Sequence, residues 1–434
     1  MSAGAFSFPH AQNRARALGE IHARPYVLVP SPRVIFQLAF MLDGGSGVDH
    51  AVMAKLSQQL GISPPGRDAH HHALPWGPGT LRWEQHTEFS TWFWDGPLPE
   101  KFNGEVTAHP FGNGFQPPGP LISGVRLEIR PDGPSTESAI GLFDPTSLCH
   151  SKVMNGQAEI YTDFRQNGDG LTQILVVDRG MTRTGTGALV QRLLDIETYR
   201  TLAMLGLPLA QTLSPEIRRI EDGLTRITQR MKEETRNDAD DVLSEITQLA
   251  ADLEANAVLS LYRFGASRAY YEIVQERIKA LGEVAVTSFE TLGMFLERRL
   301  APAMRTCQAV EERQAKLSRK LTRANALVRS WIDVELERQN AALLAAMNRR
   351  AELQLRLQQT VEGLSVIAIS YYLVGLFSYL IKAIGHDPPI DASIMIGLFV
   401  PIAVLLVWIT MRRIRKNHAT ADVQSSRTRL LKSS

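Results

Sequence analysis

The last third of the chain carries its strongest pattern of apolar and polar positions. No charged residue occurs at positions 363–381, and none occurs at positions 392–411. Two stretches of about 20 residues are each long enough to cross ~30 Å of hydrocarbon as a helix. The pattern therefore predicts membrane-spanning helices at residues 364–384 and 394–411, joined by an outer loop at residues 385–393.

An unbroken helical pattern precedes the first apolar stretch, since no proline lies between Pro302 and Pro388. Apolar residues recur there every seven positions, at Val310, Leu317, Ala324 and Trp331. This repeat predicts a stalk helix over residues 304–363 with coiled-coil character. Part of it is expected to fold back on the preceding helices. The part nearest the membrane is expected to self-associate, which makes the protein a homo-oligomer.

The first 185 residues follow a different pattern, with short apolar runs between residues rich in proline, glycine and histidine. The runs predict strands at residues 33–42, 80–94, 121–130, 158–164 and 171–178, and a helix at residues 48–60. This pattern indicates an α+β domain at residues 1–185. A helical region is predicted at residues 186–303, with helices at 189–205, 215–234, 238–256 and 260–300. Ser214 and Pro215 resemble a helix start, with a capping residue followed by proline.

Composition and charge narrow the class of protein. The 434 residues have a net charge of +2, which argues against a nucleic-acid-binding protein. The N-terminus lacks a basic segment followed by an apolar core, so no secretory signal is predicted. Cys149 and Cys307 are too few for a four-cysteine metal site and are expected to be reduced thiols in the cytoplasm.

The charges that flank the two apolar stretches predict their orientation. Arg349, Arg350 and Arg356 precede the first stretch, and a basic tail at residues 412–434 follows the second. The outer loop carries Asp387 and Asp391 and no lysine or arginine. Since basic residues concentrate on the cytoplasmic side, both termini are predicted to be cytoplasmic, in a bacterial inner membrane.

Candidate binding residues occur in the first domain and in the first span. His86 and Glu88 lie two residues apart in a predicted strand, where they share one face. With Trp83, Trp92 and Trp94 nearby, they can form a metal or ligand site, and a half-buried strand with a polar face is the alternative. His22 and Arg24 precede a proline and are a second candidate, with a structural role as the alternative. No catalytic motif is found, so neither an enzyme activity nor a cofactor is predicted, and the identity of a bound metal is unknown.

A stripe of residues on one face of the first span is the candidate pore or helix interface. Its members are Ala368, Tyr372, Gly375, Tyr379 and Lys382. Small and hydroxyl-bearing residues suit either close helix packing or a narrow pore. An inward-facing lysine would repel cations.

Four segments resemble a bacterial family of membrane-anchored proteins that has no assigned activity. They are EIHARPY, RWEQHTEFSTWFW, LERRLAPAMRTC and AAMNRRAELQLRLQQTVEGLSVIAISYYLVGLFSYL, at residues 20–26, 82–94, 296–307 and 345–380. They span most of the chain, and the resemblance implies membrane anchoring without implying a mechanism.

The overall layout is similar to that of the CorA-type metal-ion transporters. Those proteins have a cytoplasmic α/β domain, a very long helix that enters the first span, a short outer loop, a second span and a basic tail. The resemblance implies a pentamer with the first spans around a pore for divalent cations. The Gly-Met-Asn signature of that family is absent from residues 375–385. Ion transport is therefore the leading hypothesis, and a membrane-anchored scaffold or sensor with a ligand-binding cytoplasmic domain is the alternative.

Overall fold

The computed structural model describes residues 11, 12, 14, 28–42, 47–112, 114–233, 239–383 and 392–430. The chain divides into two compact units, Met1–Val328 and Arg329–Ser434. The first unit contains a β-sheet and a group of long helices. The second contains the end of the longest helix and the last helix.

A nine-stranded sheet forms the centre of the first unit. Its strand order is β2-β3-β4-β1-β5-β8-β7-β6-β9, and all neighbours are antiparallel except β5 and β8. The strands are β1 (Arg33–Met41), β2 (His71–Trp76), β3 (Gly79–Gln85), β4 (Phe89–Gly96), β5 (Leu121–Pro131), β6 (Cys149–Val153), β7 (Ala158–Thr162), β8 (Thr172–Asp178) and β9 (Val284–Ala285). Together with the helices below, this sheet confirms the predicted α+β domain.

Successive residues of a strand point to opposite faces of the sheet, and the apolar ones on the two faces belong to different buried clusters. Val125, Leu127 and Ile129 of β5 face one side of the sheet, where they pack with apolar residues of the long helices. Trp83 and Trp94 belong to a second core on another part of the sheet. Two short helices, α1 (Val48–Gln59) and α2 (Pro134–Ile140), are inserted between strands.

The segment predicted as one strand at residues 80–94 is two strands. β3 ends at Gln85 and β4 begins at Phe89, and the backbone N–H of His86 donates to the carbonyl of Phe89 over 2.8 Å. The chain therefore reverses at residues 86–88. The turn residues are polar, but residues 80–94 contain no glycine, proline, asparagine or aspartate that would mark a turn in the sequence.

Five long helices follow the sheet, and their boundaries differ from the predicted ones. They are α3 (Arg183–Met204), α4 (Gly206–Glu233), α5 (Ala239–Leu281), α6 (Leu292–Ala383) and α7 (Ala392–Leu430). The predicted start at Ser214 is wrong, because Ser214 donates its hydroxyl to the carbonyl of Ala210 inside α4. Pro208 lies in the first turn of α4, where a backbone N–H has no helical acceptor and proline is tolerated.

Helix α5 also differs from the prediction. It continues through residues 256–260, where a break between two helices was expected, and ends at Leu281, directly before Gly282, whose φ is +60°. The predicted helix at residues 260–300 is interrupted there by β9, which pairs with β6 at the sheet edge. Glycine suits this end because it adopts positive φ without a steric penalty.

From Leu296 onward, the buried positions of α6 within the first unit recur at alternating intervals of four and three residues. They are Leu296, Leu300, Ala303, Cys307, Val310, Gln314, Leu317, Leu321, Ala324 and Val328. Buried residues of α5 recur every seven positions, at Ile246, Leu253, Ser260, Ser267, Val274 and Leu281. Ser260 donates to Gln314 over 3.0 Å, which places the two helices side by side and antiparallel. The heptads that begin at Val310 are therefore covered within the chain as far as Val328.

Ion pairs tie α4 to both neighbouring helices. Arg313 of α6 lies 2.6 Å from Glu221 of α4, and Arg219 of α4 lies 2.8 Å from Asp252 of α5. Each such exposed pair contributes about 1 kcal/mol or less. The apolar heptad positions therefore supply most of the stability of this three-helix arrangement.

Two helices are long and apolar enough to cross a membrane. The apolar window of Leu292–Ala383 has a mean hydropathy of 1.9, and that of Ser393–Arg413 has a mean hydropathy of 2.6. Only 6% and 11% of these windows are buried within the chain. A helix in the core of a soluble domain would be mostly covered, so these two helices need another apolar environment.

Candidate functional site

The stripe predicted on the first span lies on a face that the rest of the second unit leaves uncovered. Tyr372 and Tyr379 are 70% and 74% exposed, Lys382 is exposed, and Gly375 is half-buried. These residues are brought onto one side of α6 by helical spacing alone. The side chains are available to lipid or to another protein chain.

A different face of the same span contacts α7. Phe377 stacks on Phe399 with ring centroids 3.7 Å apart and planes inclined by 17°. Ser370 of α6 and Ala403 and Val407 of α7 are buried. The first span thus has one face that packs on the second span and one face without a partner among the described residues of the second unit.

Four of the predicted candidates lie outside the described residues. His22 and Arg24 belong to the N-terminal part of the chain, and Asp387 and Asp391 belong to the loop between the two apolar helices. Their proposed roles remain sequence-based predictions.

Glu88 lies in the turn between β3 and β4 and accepts hydrogen bonds from three side chains of α5. Arg263 donates over 2.7 Å, Tyr270 over 2.6 Å and Tyr262 over 3.3 Å. His86 instead stacks on Phe89 with centroids 4.2 Å apart. The two residues do not form the shared strand face that was predicted, because both lie in the turn. Glu88 links the hairpin to α5.

Two opposing effects act on the pKa of Glu88. Partial burial alone would raise it, but the hydrogen bonds from Arg263 and Tyr270 outweigh burial and lower the pKa below its ordinary value. The carboxylate is therefore ionised at neutral pH and fully engaged by the protein's own donors. This arrangement suits a structural contact between sheet and helix.

We expect Glu88→Gln to destabilise the first unit by about 1–3 kcal/mol, because it replaces a charged acceptor of three donors. Since the folded-state pKa is lowered, the contribution of Glu88 is present above its unfolded pKa. It is lost as the pH falls through the folded value. Thermal unfolding of the purified chain between pH 3 and 7 measures both effects. Thr87→Ala, in the same turn at an exposed position, is the control. Equal unfolding temperatures for Glu88→Gln and wild type at pH 7 would contradict the assignment.

A buried charge cluster on β5 was not identified from the sequence. Glu128 is fully buried and accepts from Arg126 over 2.7 Å and from Arg130 over 2.8 Å. Arg126 also donates to the carbonyl of Gly104, and Arg130 to that of Pro99. The cluster thereby fixes the segment after β4 on the sheet. The charged residues alternate with apolar ones at positions 125–130, and this period of two is the signal that predicts a shared face.

A second cluster lies where β6 and β7 pair. Glu159 accepts from Tyr161 over 2.8 Å and lies 3.0 Å from Nε2 of His150 and 3.2 Å from Nε of Arg179. Burial lowers the pKa of His150, although Glu159 opposes this, and burial and Glu159 together raise the pKa of Tyr161. His150 is thus held neutral. Within the described residues, no group of three or more His, Cys, Asp or Glu side chains is arranged to hold a metal ion.

The sheet is also joined to the first turn of α6. Glu283 accepts from the backbone N–H of Leu292 over 3.1 Å, from that of Gly293 over 2.8 Å, and from the hydroxyl of Ser151 over 2.6 Å. A carboxylate at a helix N-terminus satisfies unpaired N–H groups and interacts favourably with the helix dipole. A Cβ at position 293 would lie 2.7 Å from a carboxylate oxygen of Glu283, so a larger residue there would displace this carboxylate from the helix N-terminus.

The chain was compared with known proteins. The model of the family described as "Protein of unknown function (DUF3422)" matches residues 9–418. A search of curated proteins gives no match.

Proposed function

The chain belongs to the family of proteins of unknown function DUF3422, and we propose a function for it on the basis of its two uncovered apolar helices. The protein is an integral membrane homo-oligomer of CorA-like architecture that conducts ions, with divalent cations as the substrate class. The first spans of several copies surround a common axis. The cytoplasmic unit and the long helix regulate ion conduction along this axis. No enzymatic step or cofactor is involved.

The observation that carries this proposal is the exposure of the first span on the face opposite its contact with α7. In lipid, an all-apolar helix needs no partner, but this face also carries Gly375, two tyrosines and Lys382. Small and polar residues in a span face other helices or a water-filled path. A second copy of the same span provides such an environment.

The organisation of the first unit supports the CorA-like part of the proposal. An α+β domain precedes four long helices, α3 to α6, and the last of these is 92 residues long and ends at Ala383. The chain has a second apolar helix directly after it. This order of elements is similar to the one expected of CorA-type transporters, although their Gly-Met-Asn signature is absent.

The proposed topology has both termini in the cytoplasm of a bacterium with the protein in its inner membrane. Arg412 and Arg413 follow the second span, Arg349 and Arg350 precede the first, and the intervening loop is acidic. We expect a periplasm-dependent enzyme fused after Asp387 to be active and the same enzyme fused at the C-terminus to be inactive. Activity of the C-terminal fusion would refute the orientation.

Exposed apolar residues support self-association at two levels of the chain. In the stalk, Leu344 and Met347 are 61% and 58% exposed, and Leu355 is also exposed. In the first unit, α5 exposes Val258, Leu259, Leu261 and Tyr262 in one cluster. Contiguous apolar surface of this kind marks interaction sites. The heptads that the chain's own helices cover end at Val328. The proposed interface between copies therefore does not begin at Val310, and it lies in the part of the stalk after Val328, closer to the membrane.

We expect Ala351→Asp to dissociate the oligomer, because Ala351 lies on the stripe formed with Leu344, Met347 and Leu355. Burying an unpaired carboxylate costs several kcal/mol per copy, and each ~1.4 kcal/mol is a tenfold change in the association constant. Mass measurement in mild detergent gives the number of copies. Ala346→Asp, on the opposite side of the helix, introduces the same charge and is the matched control. A monomeric wild-type chain, or equal behaviour of the two variants, would contradict the proposal.

The alternative, a membrane-anchored scaffold or sensor without transport, is favoured by one observation. Lys382 lies on the stripe that the proposal places around the axis, and a ring of ammonium groups there opposes cation entry. The flux of divalent cations into liposomes distinguishes the two functions.

A further inference from the structure

A cavity of about 350 Å³ lies between α5 and α6 in the first unit. Its apolar wall is formed by Phe264 and Met304 together with Ala301 and Cys307, and the ring of Tyr271 also lines it. Phe264 and Cys307 are buried. The volume and the aromatic and apolar lining are those of a small-molecule site.

An unpartnered hydroxyl lies beside this cavity. Ser267 is 0% exposed, and its Oγ has no hydrogen-bond partner among the described residues. A Cβ built at Gly206 would lie 2.7 Å from this oxygen and 3.1 Å from Sγ of Cys307. The hydroxyl of Ser267 is therefore a close neighbour of a cavity-lining side chain.

The rim of the cavity carries four charges, of which two are paired. Arg268 lies 2.7 Å from Glu311, so these side chains neutralise each other. Arg305 on α6 and Glu272 on α5 line the same cavity, and neither forms an ion pair within the described part of the chain. The unpaired charges are one cation and one anion, on opposite helices.

We propose that this cavity binds a small apolar zwitterion of amino-acid size. Its apolar or aromatic body lies against Phe264 and Met304, its carboxylate contacts Arg305, and its ammonium contacts Glu272. A purely apolar ligand would leave both charges unused, and a simple anion or cation would meet a like charge on the opposite helix. The ligand contacts α5 and α6 and lies next to the start of α4, so it stabilises their packing. The site does not depend on the proposed ion transport.

The test uses the full-length chain in detergent and isothermal titration with three probes: L-tryptophan, tryptamine and indole-3-propionate. The last two each lack one of the two charges. We expect L-tryptophan to bind at least about tenfold more tightly than either, since a hydrogen bond to a charged group contributes ~1.5–3 kcal/mol. Arg305→Gln should remove the advantage over tryptamine, and Glu272→Gln the advantage over indole-3-propionate.

Two further variants locate the binding. Ala301→Phe fills the cavity and should abolish binding, whereas Arg319→Gln removes an exposed charge elsewhere on α6 and should leave affinity unchanged. Since Arg305 and Glu272 lie at the rim, their variants do not disturb the buried heptads. Absence of binding at millimolar concentration would overturn the proposal. So would equal affinity for the three probes, or unchanged binding by both Ala301→Phe and Arg305→Gln.

Discussion

Glu128→Gln is expected to destabilise the first unit by about 3–5 kcal/mol, because it leaves two buried guanidinium groups without their counter-charge. Arg126 and Arg130 are 5% and 2% exposed, so water does not replace the lost acceptor. The backbone N–H of Asn103 also donates to Glu128 over 3.0 Å and loses a charged acceptor. Relative to a typical total of ~5–15 kcal/mol, this loss is large. The unfolding temperature should fall by on the order of 10 °C.

Two comparisons show whether this cost comes from unpaired charge. Glu137→Gln, at an exposed position, should change stability by less than about 0.5 kcal/mol. The triple variant with Arg126→Met, Glu128→Leu and Arg130→Met should be more stable than Glu128→Gln, since it leaves no buried charge behind. If Glu128→Gln unfolds at the wild-type temperature, the cluster does not fix the segment after β4.

Features that depend only on residues close together in the sequence were predictable. The two apolar helices follow from charge-free stretches, since a span needs only length and hydropathy. The predicted apolar runs correspond to β1, β5, β7 and β8 and to the pair β3 and β4, which are separated by the turn at residues 86–88. Strands β2, β6 and β9 were not predicted, because they are short or carry polar residues or proline. The heptads at Val310, Leu317 and Ala324 predicted a helix with one covered face. The pattern alone did not distinguish the chain's own helices from a second copy as the cover.

Helix boundaries were less predictable, because local start and stop signals compete with packing. Ser214 and Pro215 have the composition of a helix start, yet they lie within α4. Buried residues on both sides, Ala210 and Ile217 among them, keep the helix continuous. Burial of apolar residues against other helices stabilises α4 by more than the loss of one backbone hydrogen bond at Pro215 destabilises it.

The role of Glu88 was not predictable, because its partners are distant in the chain. Arg263 and Tyr270 lie 175 and 182 positions away. A carboxylate near histidine and tryptophan suggested a ligand site, and only the fold brings α5 onto this turn. The cluster at Glu128 differs, since its three charged residues lie on one strand face.

The largest functional effect is expected at Lys382. If the first spans surround an axis, each Lys382 ammonium opposes a divalent cation by roughly 1.7 kcal/mol at ~5 Å, even with the dielectric constant of water. The Lys382 ammonium of each copy therefore lowers the occupancy of the entrance by a divalent cation about tenfold. Lys382→Asn should raise divalent cation flux into liposomes by at least tenfold. Lys382→Arg keeps the charge and should behave like wild type.

The acidic loop provides the opposite test of the same axis. Asp387→Asn combined with Asp391→Asn removes two negative charges per copy from the outer end, where they would concentrate cations. We expect this double variant to lower divalent cation flux, and the effect to decrease as ionic strength rises, since exposed charges are screened by salt. Equal impermeability of wild type, Lys382→Asn and the double variant to cations and anions would refute transport. The oligomer would then act as an anchored scaffold or sensor, because the same tyrosines and glycine would serve only to pack the first spans together.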